Sequence, residues 1–259
     1  MRRIHAFVRI LPRRPLQLAA RAALALLVVL SAVVSTPSTQ AQTLVTLYSF
    51  KGAPDGAIPY GGLILESGHL YGTTELGGLS DAGTMFKLDS SGNETVLHSF
   101  SGSSGDGAYP FAALIRDPSG NLYSTTYWGG QYGEGTAFKL DQSGAETVLH
   151  SFGESAMDGT NPYSDLILDA SGHLYGTTQN SLAAGTIFEM DNAGQHEKVL
   201  HIFTGGADGA SPLAGLIGDA AGYLYGITGY GGDNVCGCGT VFKRRGVQRT
   251  PGKPNTCES

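Results

Sequence analysis

At 259 residues, with 41% apolar residues, 15% charged ones and 39 glycines, the chain can bury a sizeable core, and its regularly spaced apolar positions exclude disorder. Its 22 acids outnumber its 16 basic residues, and six of the latter are arginines within the first 41 positions, so the remainder carries a net charge near −12. Such an acidic body repels phosphate backbones and excludes nucleic acid as a partner.

Residues 1–41 read as an export signal. Arg2, Arg3, Arg9, Arg13, Arg14 and Arg21 form a basic region without acids, followed by the apolar run Ala22–Val34. That run is too short to span a bilayer comfortably, and Thr39 and Ala41 suit cleavage before Gln42. The expectation is export to the periplasm, the cell surface or the medium, with no membrane span left after cleavage.

Residues 42–243 are expected to form one repeat domain. Its first segment, Leu44–Phe50, has the apolar pattern of a strand ending in Phe, and the same segment returns at Val96–Phe100, Val148–Phe152 and Val199–Phe203. Asp-Gly turns follow at Asp55, Asp106, Asp158 and Asp208, then a proline (Pro59, Pro110, Pro162, Pro212), then a short apolar strand holding Leu63, Leu114, Leu166 or Leu216. Next comes the most regular phrase, Leu70-Tyr71-Gly72-Thr73-Thr74, whose tyrosine recurs at Tyr123, Tyr175 and Tyr225, spaced by 52, 52 and 50 residues. A glycine-rich loop and a Gly-Thr-x-Phe strand at Gly83–Phe86, Gly135–Phe138, Gly185–Phe188 and Gly239–Phe242 complete the unit.

Four short strands per unit of about 50 residues predict an all-β fold, a β-propeller of about four four-stranded blades. The domain opens on a fourth-strand segment and closes on a third-strand segment, so Leu44–Phe50 is expected to close the ring by completing the last blade. An open arc belonging to a longer array is the competing arrangement. Residues 244–259 form an irregular basic tail.

The repeats resemble the GloVer tandem repeats of exported bacterial proteins, often labelled choice-of-anchor proteins. The resemblance rests on Leu70–Thr74, on Gly77-Gly78 with Gly83–Leu88, and on Val96–Phe100, and it spans 43–243. It implies an exported, propeller-like repeat protein and brings no settled activity. The segment Asp117–Tyr123 is also similar to a hairpin of propellers of the NHL and gluconolactonase kind, which include binding modules and enzymes.

His98, His150 and His201 occupy one place in the unit, filled by Tyr48 in the first, and are read as structural because a feature present in every blade solves a packing problem. The repeated tyrosines are read likewise, with their rings between blades. Asp55, Asp106, Asp158 and Asp208 could gather at one mouth of a closed ring and hold calcium, although an Asp-Gly turn bonding to its own backbone explains them as well. Departures from the repeat point to specific function: Tyr127, Trp128 and Tyr132 on the second glycine-rich loop, and Tyr230 on the fourth, are the expected ligand-binding residues. Cys236, Cys238 and Cys257 are expected to supply one disulfide of unassigned pairing. The expected function is a binding or structural module for a carbohydrate or protein. The alternative is a propeller enzyme acting on glycans or lactones through carboxylates or a bound cation.

Overall fold

The computed structural model describes residues 43–180, 184–232 and 236–246; the expected signal segment and Cys257 lie outside them. The chain divides into two compact units, Met1–Thr46 and Leu47–Ser259; residues 43–46 of the first form no strand, and every strand among the described residues belongs to the second. Among these residues each regular element is a strand, and no helix is long and apolar enough to cross a membrane.

The first repeat unit contributes β1 (Gly56–Ala57), β2 (Ile64–Glu66), β3 (His69–Thr74), β4 (Leu76–Gly77), β5 (Thr84–Leu88) and β6 (Glu94–Ser99). The second contributes β7 (Gly107–Ala108), β8 (Ile115–Arg116), β9 (Leu122–Thr126), β10 (Trp128–Gly129), β11 (Thr136–Leu140) and β12 (Glu146–Ser151). The third has β13 (Thr160–Pro162), β14 (Ile167–Leu168), β15 (His173–Asn180), β16 (Thr186–Asp191) and β17 (Lys198–Ile202), and the fourth β18 (Ile217–Gly218), β19 (Tyr223–Ile227) and β20 (Val241–Arg245). The main sheets are antiparallel meanders, β2-β3-β5-β6, β8-β9-β11-β12, β14-β15-β16-β17 and β18-β19-β20. Small ribbons, β1 with β4 and β7 with β10, tie each Asp-Gly turn to the glycine-rich loop of its unit, as β13 does on the end of β15.

The repeated phrases are explained by one another. The last threonine of each Leu-Tyr-x-x-Thr strand meets the threonine of Gly-Thr-x-Phe through its hydroxyl: Thr74 with Thr84, Thr126 with Thr136 and Thr178 with Thr186, each buried and at 2.8 Å, and the partly buried pair Thr228 with Thr240 at 3.0 Å. A Cβ on Gly72 or Gly176 would stand 2.7 or 2.5 Å from the ring tip of Phe86 or Phe188, so in these two units the ring of the neighbouring strand leaves no room for a side chain. In the second unit Ser124 takes this place and bonds the carbonyls of Ala112 and Ala113. A register shift recurs before Phe86, Phe138 and Phe188, a bulge that raises local twist in all three sheets.

The core lies between units. Phe100 packs on Phe138 at 5.2 Å, Phe152 on Phe188 at 4.9 Å and Phe203 on Phe242 at 5.2 Å, each pair joining the end of one unit to the third strand of the next. Three apolar clusters fill these three seams, and Tyr71, Tyr123 and Tyr175 belong to them, as expected for rings set between units. The prolines cross the seams too: a Cβ on Gly83, Gly135 or Gly185 would come within 2.7 Å of the Cδ of Pro110, Pro162 or Pro212 of the following unit.

Closure by Leu44–Phe50 is not observed. Residues 43–50 carry no strand, and among the described residues β20 pairs with β19 alone. Phe50 does pack on Phe86 at 4.9 Å, as its counterparts do in the seams. The repeat pairs each fourth strand with the third strand of its own unit; among the described residues this segment packs by its ring and forms no ladder. Among the described residues both terminal faces are exposed: Leu63 is 57% exposed where Leu114, Leu166 and Leu216 are at most 3%, and Val241 is 82% exposed where Met85, Ala137 and Ile187 are at most 1%.

Candidate functional site

The residue before each repeated proline adopts a left-handed backbone: Ile58, Tyr109, Asn161 and Ser211 have φ of 54°, 55°, 56° and 51°. Side-chain-bearing residues rarely take this conformation, least of all before proline, and each instance costs about 1–3 kcal/mol. Inter-unit bonds hold the corner. The amides of Tyr109, Asn161 and Ser211 donate to the carbonyls of Ala82, Glu134 and Ala184 in the preceding unit, at 2.7–2.8 Å. The carbonyls of Ile58, Tyr109 and Ser211 accept from the amides of Glu75, Tyr127 and Gly229 on the glycine-rich loop of their own unit.

This corner aims the residue after the proline, which is Tyr60, Phe111, Tyr163 or Leu213. Three of these are aromatic, and they meet: Tyr60 lies 5.3 Å from Phe111 and 5.9 Å from Tyr163, and Phe111 lies 5.1 Å from Tyr163. Tyr127 joins them, 5.5 Å from Phe111 and 6.1 Å from Tyr163, and Trp128 stands edge-on to Tyr127 at 5.2 Å. Five aromatic side chains from three units thus form one continuous surface. Tyr60 is 57% and Trp128 43% exposed, while Phe111, Tyr127 and Tyr163 are half-buried beneath them. The Tyr163 hydroxyl donates to that of Tyr60 at 2.6 Å, and burial together with this partner pushes Tyr163 up to about 12. Trp128 is fixed in backbone by pairing with Ala108 and by the Thr126 hydroxyl on its carbonyl at 2.9 Å. A rigid aromatic face with hydroxyls at its edge can hold a ring-shaped polar ligand by stacking and hydrogen bonding.

Of the expected ligand-binding residues, Tyr127 and Trp128 come together here. Tyr132 and Tyr230 are exposed, and among the described residues no ring contact links them to this surface. Tyr60, Phe111 and Tyr163 were not singled out from the sequence; an aromatic residue following the proline in three of four units was the available signal. Cys236 and Cys238 are joined by a disulfide.

Each expected metal aspartate is tied to the repeated residue of the segment before it: Asp55 to Tyr48 at 2.9 Å, Asp106 to His98 at 3.2 Å, Asp158 to His150 at 2.9 Å and Asp208 to His201 at 3.1 Å. Each also accepts from backbone amides of its own turn, for example Gly107 on Asp106 and Gly153 on Asp158. Among the described residues, no group of potential metal ligands holds two of the four aspartates. The histidines pack edge-on against Phe100, Phe152 and Phe203 at 4.7–4.8 Å, in keeping with a structural role. Burial opposes charge on His98 and His150, but the bonded Asp106 and Asp158 outweigh it and raise both pKa values. Glu146 and Glu197 lie beside these pairs, and burial pushes each up to about 7.

No curated protein matches the chain. Solved structures similar to it include a protein assigned as a gluconolactonase, 19% identical with a TM-score of 0.44, the match covering 73% of this chain and 64% of that one. A protein of Bacteroides uniformis assigned as a 6-phosphogluconolactonase is 17% identical with a TM-score of 0.44, over 76% and 59%. TolB of Acinetobacter baumannii is 12% identical with a TM-score of 0.41, over 62% and 35%. The chain therefore spans less than two thirds of the length of each. The model of the Gloeobacter/Verrucomicrobia repeat matches residues 31–243, and the chain belongs to that repeat family.

Proposed function

We propose that the protein is an exported carbohydrate-binding repeat module, that its units are propeller blades, and that its ligand meets the surface formed by Tyr60, Phe111, Tyr127, Trp128 and Tyr163. The observation that carries this reading is the convergence of five aromatic side chains from three units, with Tyr60 and Trp128 open to solvent. A repeat scaffold needs none of these rings: the fourth unit has Leu213 after its proline, and the first has Glu75 and Leu76 in place of Tyr127 and Trp128. Contiguous exposed aromatic surface on a soluble body marks an interaction site. Pyranose rings present flat C–H faces that stack on such surfaces, and the Tyr60–Tyr163 hydroxyl pair offers bonds to sugar hydroxyls. The acidic body favours neutral glycans over polyanionic ones.

A glycan array tests the reading. The expected outcome is binding to neutral oligosaccharides by the full chain and at least a tenfold weaker signal for Trp128→Ala. An array without binding, or binding indifferent to that change, would overturn it.

A further inference from the structure

The seams contain a polar arrangement that packing alone does not explain. In the first, His98 of β6, Asp106 of the loop entering the second unit and Glu146 at the start of β12 each place one nitrogen or oxygen within 4.8 Å of the other two. In the second, His150, Asp158 and Glu197 repeat the arrangement one unit on. His98 Nε2 lies 3.2 Å from Asp106 Oδ1, and His150 Nε2 lies 2.9 Å from Asp158 Oδ1. The third member differs in kind: Glu146 Oε1 and Glu197 Oε1 are shut off from solvent and have no hydrogen-bond partner. A buried oxygen without a donor is costly, and a cation bound beside it would relieve that cost. The two other places in the repeat show what varies. Around the first unit Tyr48 stands where the histidine would, bonded to Asp55, and Glu94 Oε1 is again buried and without a partner. At the last, His201 and Asp208 are bonded, but no glutamate joins them in a group of this kind among the described residues.

We propose that each His-Asp-Glu cluster is a binding site for a divalent first-row transition ion, with zinc as its probe. One imidazole nitrogen and two carboxylate oxygens are the donor set that zinc accepts, with a fourth position left to water. Calcium, which takes six to eight oxygens, fits a site with a histidine poorly. Ligands about 2.0–2.2 Å from a tetrahedral ion stand roughly 3.3–3.6 Å apart. The His–Asp pairs need to open by only a few tenths of an ångström, and the glutamate closes in. Binding replaces the shared His–Asp hydrogen bond: Nε2 gives up its proton, to solvent from the imidazolium form, and the imidazole stays neutral with its proton on Nδ1, while the buried Oε1 gains a partner. The ion would cross-link the fourth strands and turn of consecutive units, which makes the sites seam locks distinct from the aromatic surface.

The test uses the full chain with its disulfide intact, stripped with chelator, exposed to zinc and desalted, with bound metal counted by native mass spectrometry. The expected stoichiometry is two. Glu146→Gln and Glu197→Gln, near-isosteric at an oxygen with no hydrogen bond to lose, should each remove one zinc and together both. Tyr48→His, which supplies the missing ligand beside Asp55 and Glu94, should raise the count to three, whereas His201→Gln should leave it at two. Retention of no zinc by the wild type, or of the same amount by the double glutamine variant, would overturn the proposal. Far-UV circular dichroism of each variant checks the fold, and His98→Gln with His150→Gln gives a second route to the same loss.

Discussion

The repeated phrase Leu-Tyr-Gly-Thr-Thr records constraints that act on single atoms. Its glycine is needed because a phenylalanine ring of the adjacent strand covers the Cα, and its last threonine because the hydroxyl closes a buried pair with the next strand. Gly176→Ala should therefore lower stability by about 1–3 kcal/mol, since a Cβ would stand 2.5 Å from Phe188 and 2.7 Å from Leu166. Urea denaturation measures this, and an unchanged midpoint would show that the Phe188 ring moves aside at no cost. Much of the repeat was legible at this scale, because a residue type that recurs in every unit names its own constraint. What stayed hidden was conformation. Nothing in Ile58, a β-branched residue, signals a left-handed backbone, yet that corner aims Tyr60. The glutamates were hidden in another way: Glu146 and Glu197 stand beside histidines of the preceding unit only once the seams have formed.

Strands explain why the units cohere. Each main sheet is short, and most of its buried side chains face the neighbouring unit, so stability resides in the seams. The effect of a substitution should thus depend on which seam it faces, at positions equivalent in sequence. Leu114→Ala, at a fully buried site between the first and second units, should cost about 2–5 kcal/mol, whereas Leu63→Ala should change stability by less than about 0.5 kcal/mol. Thermal denaturation of the two variants in parallel distinguishes them. Equal losses would mean that the face bearing Leu63 is covered in solution. The strands and hairpins followed from the spacing of apolar residues and from Asp-x-x-Gly turns such as Asp117–Gly120, whose first carboxylate bonds Asn121 at 2.8 Å. Closure by Leu44–Phe50 did not follow, because the phase of a repeat says which strand is missing without saying what fills its place.

At the scale of the molecule, identical units make a scaffold, and departures from identity make a surface. The second unit departs most, through Tyr127 and Trp128, and the proline corners of the first and third bring Tyr60 and Tyr163 beside it. Only the loop pair was visible in the sequence, since three residues separated by about 50 positions meet only after the seams have formed. This division of labour underlies the proposal that the aromatic surface binds carbohydrate on seams that hold it rigid. Trp128 is the only tryptophan of the chain, so its fluorescence reports on that surface directly. The decisive measurement is a titration of the full chain with neutral hexasaccharides of the cello, xylo, malto and chito series, followed at the Trp128 emission band. The expected result is a saturable change in intensity or wavelength with at least one series, weakened tenfold or more in Tyr163→Ala while the fold is retained. Emission that stays constant with every series, or a response that Tyr163→Ala leaves intact, would contradict the account.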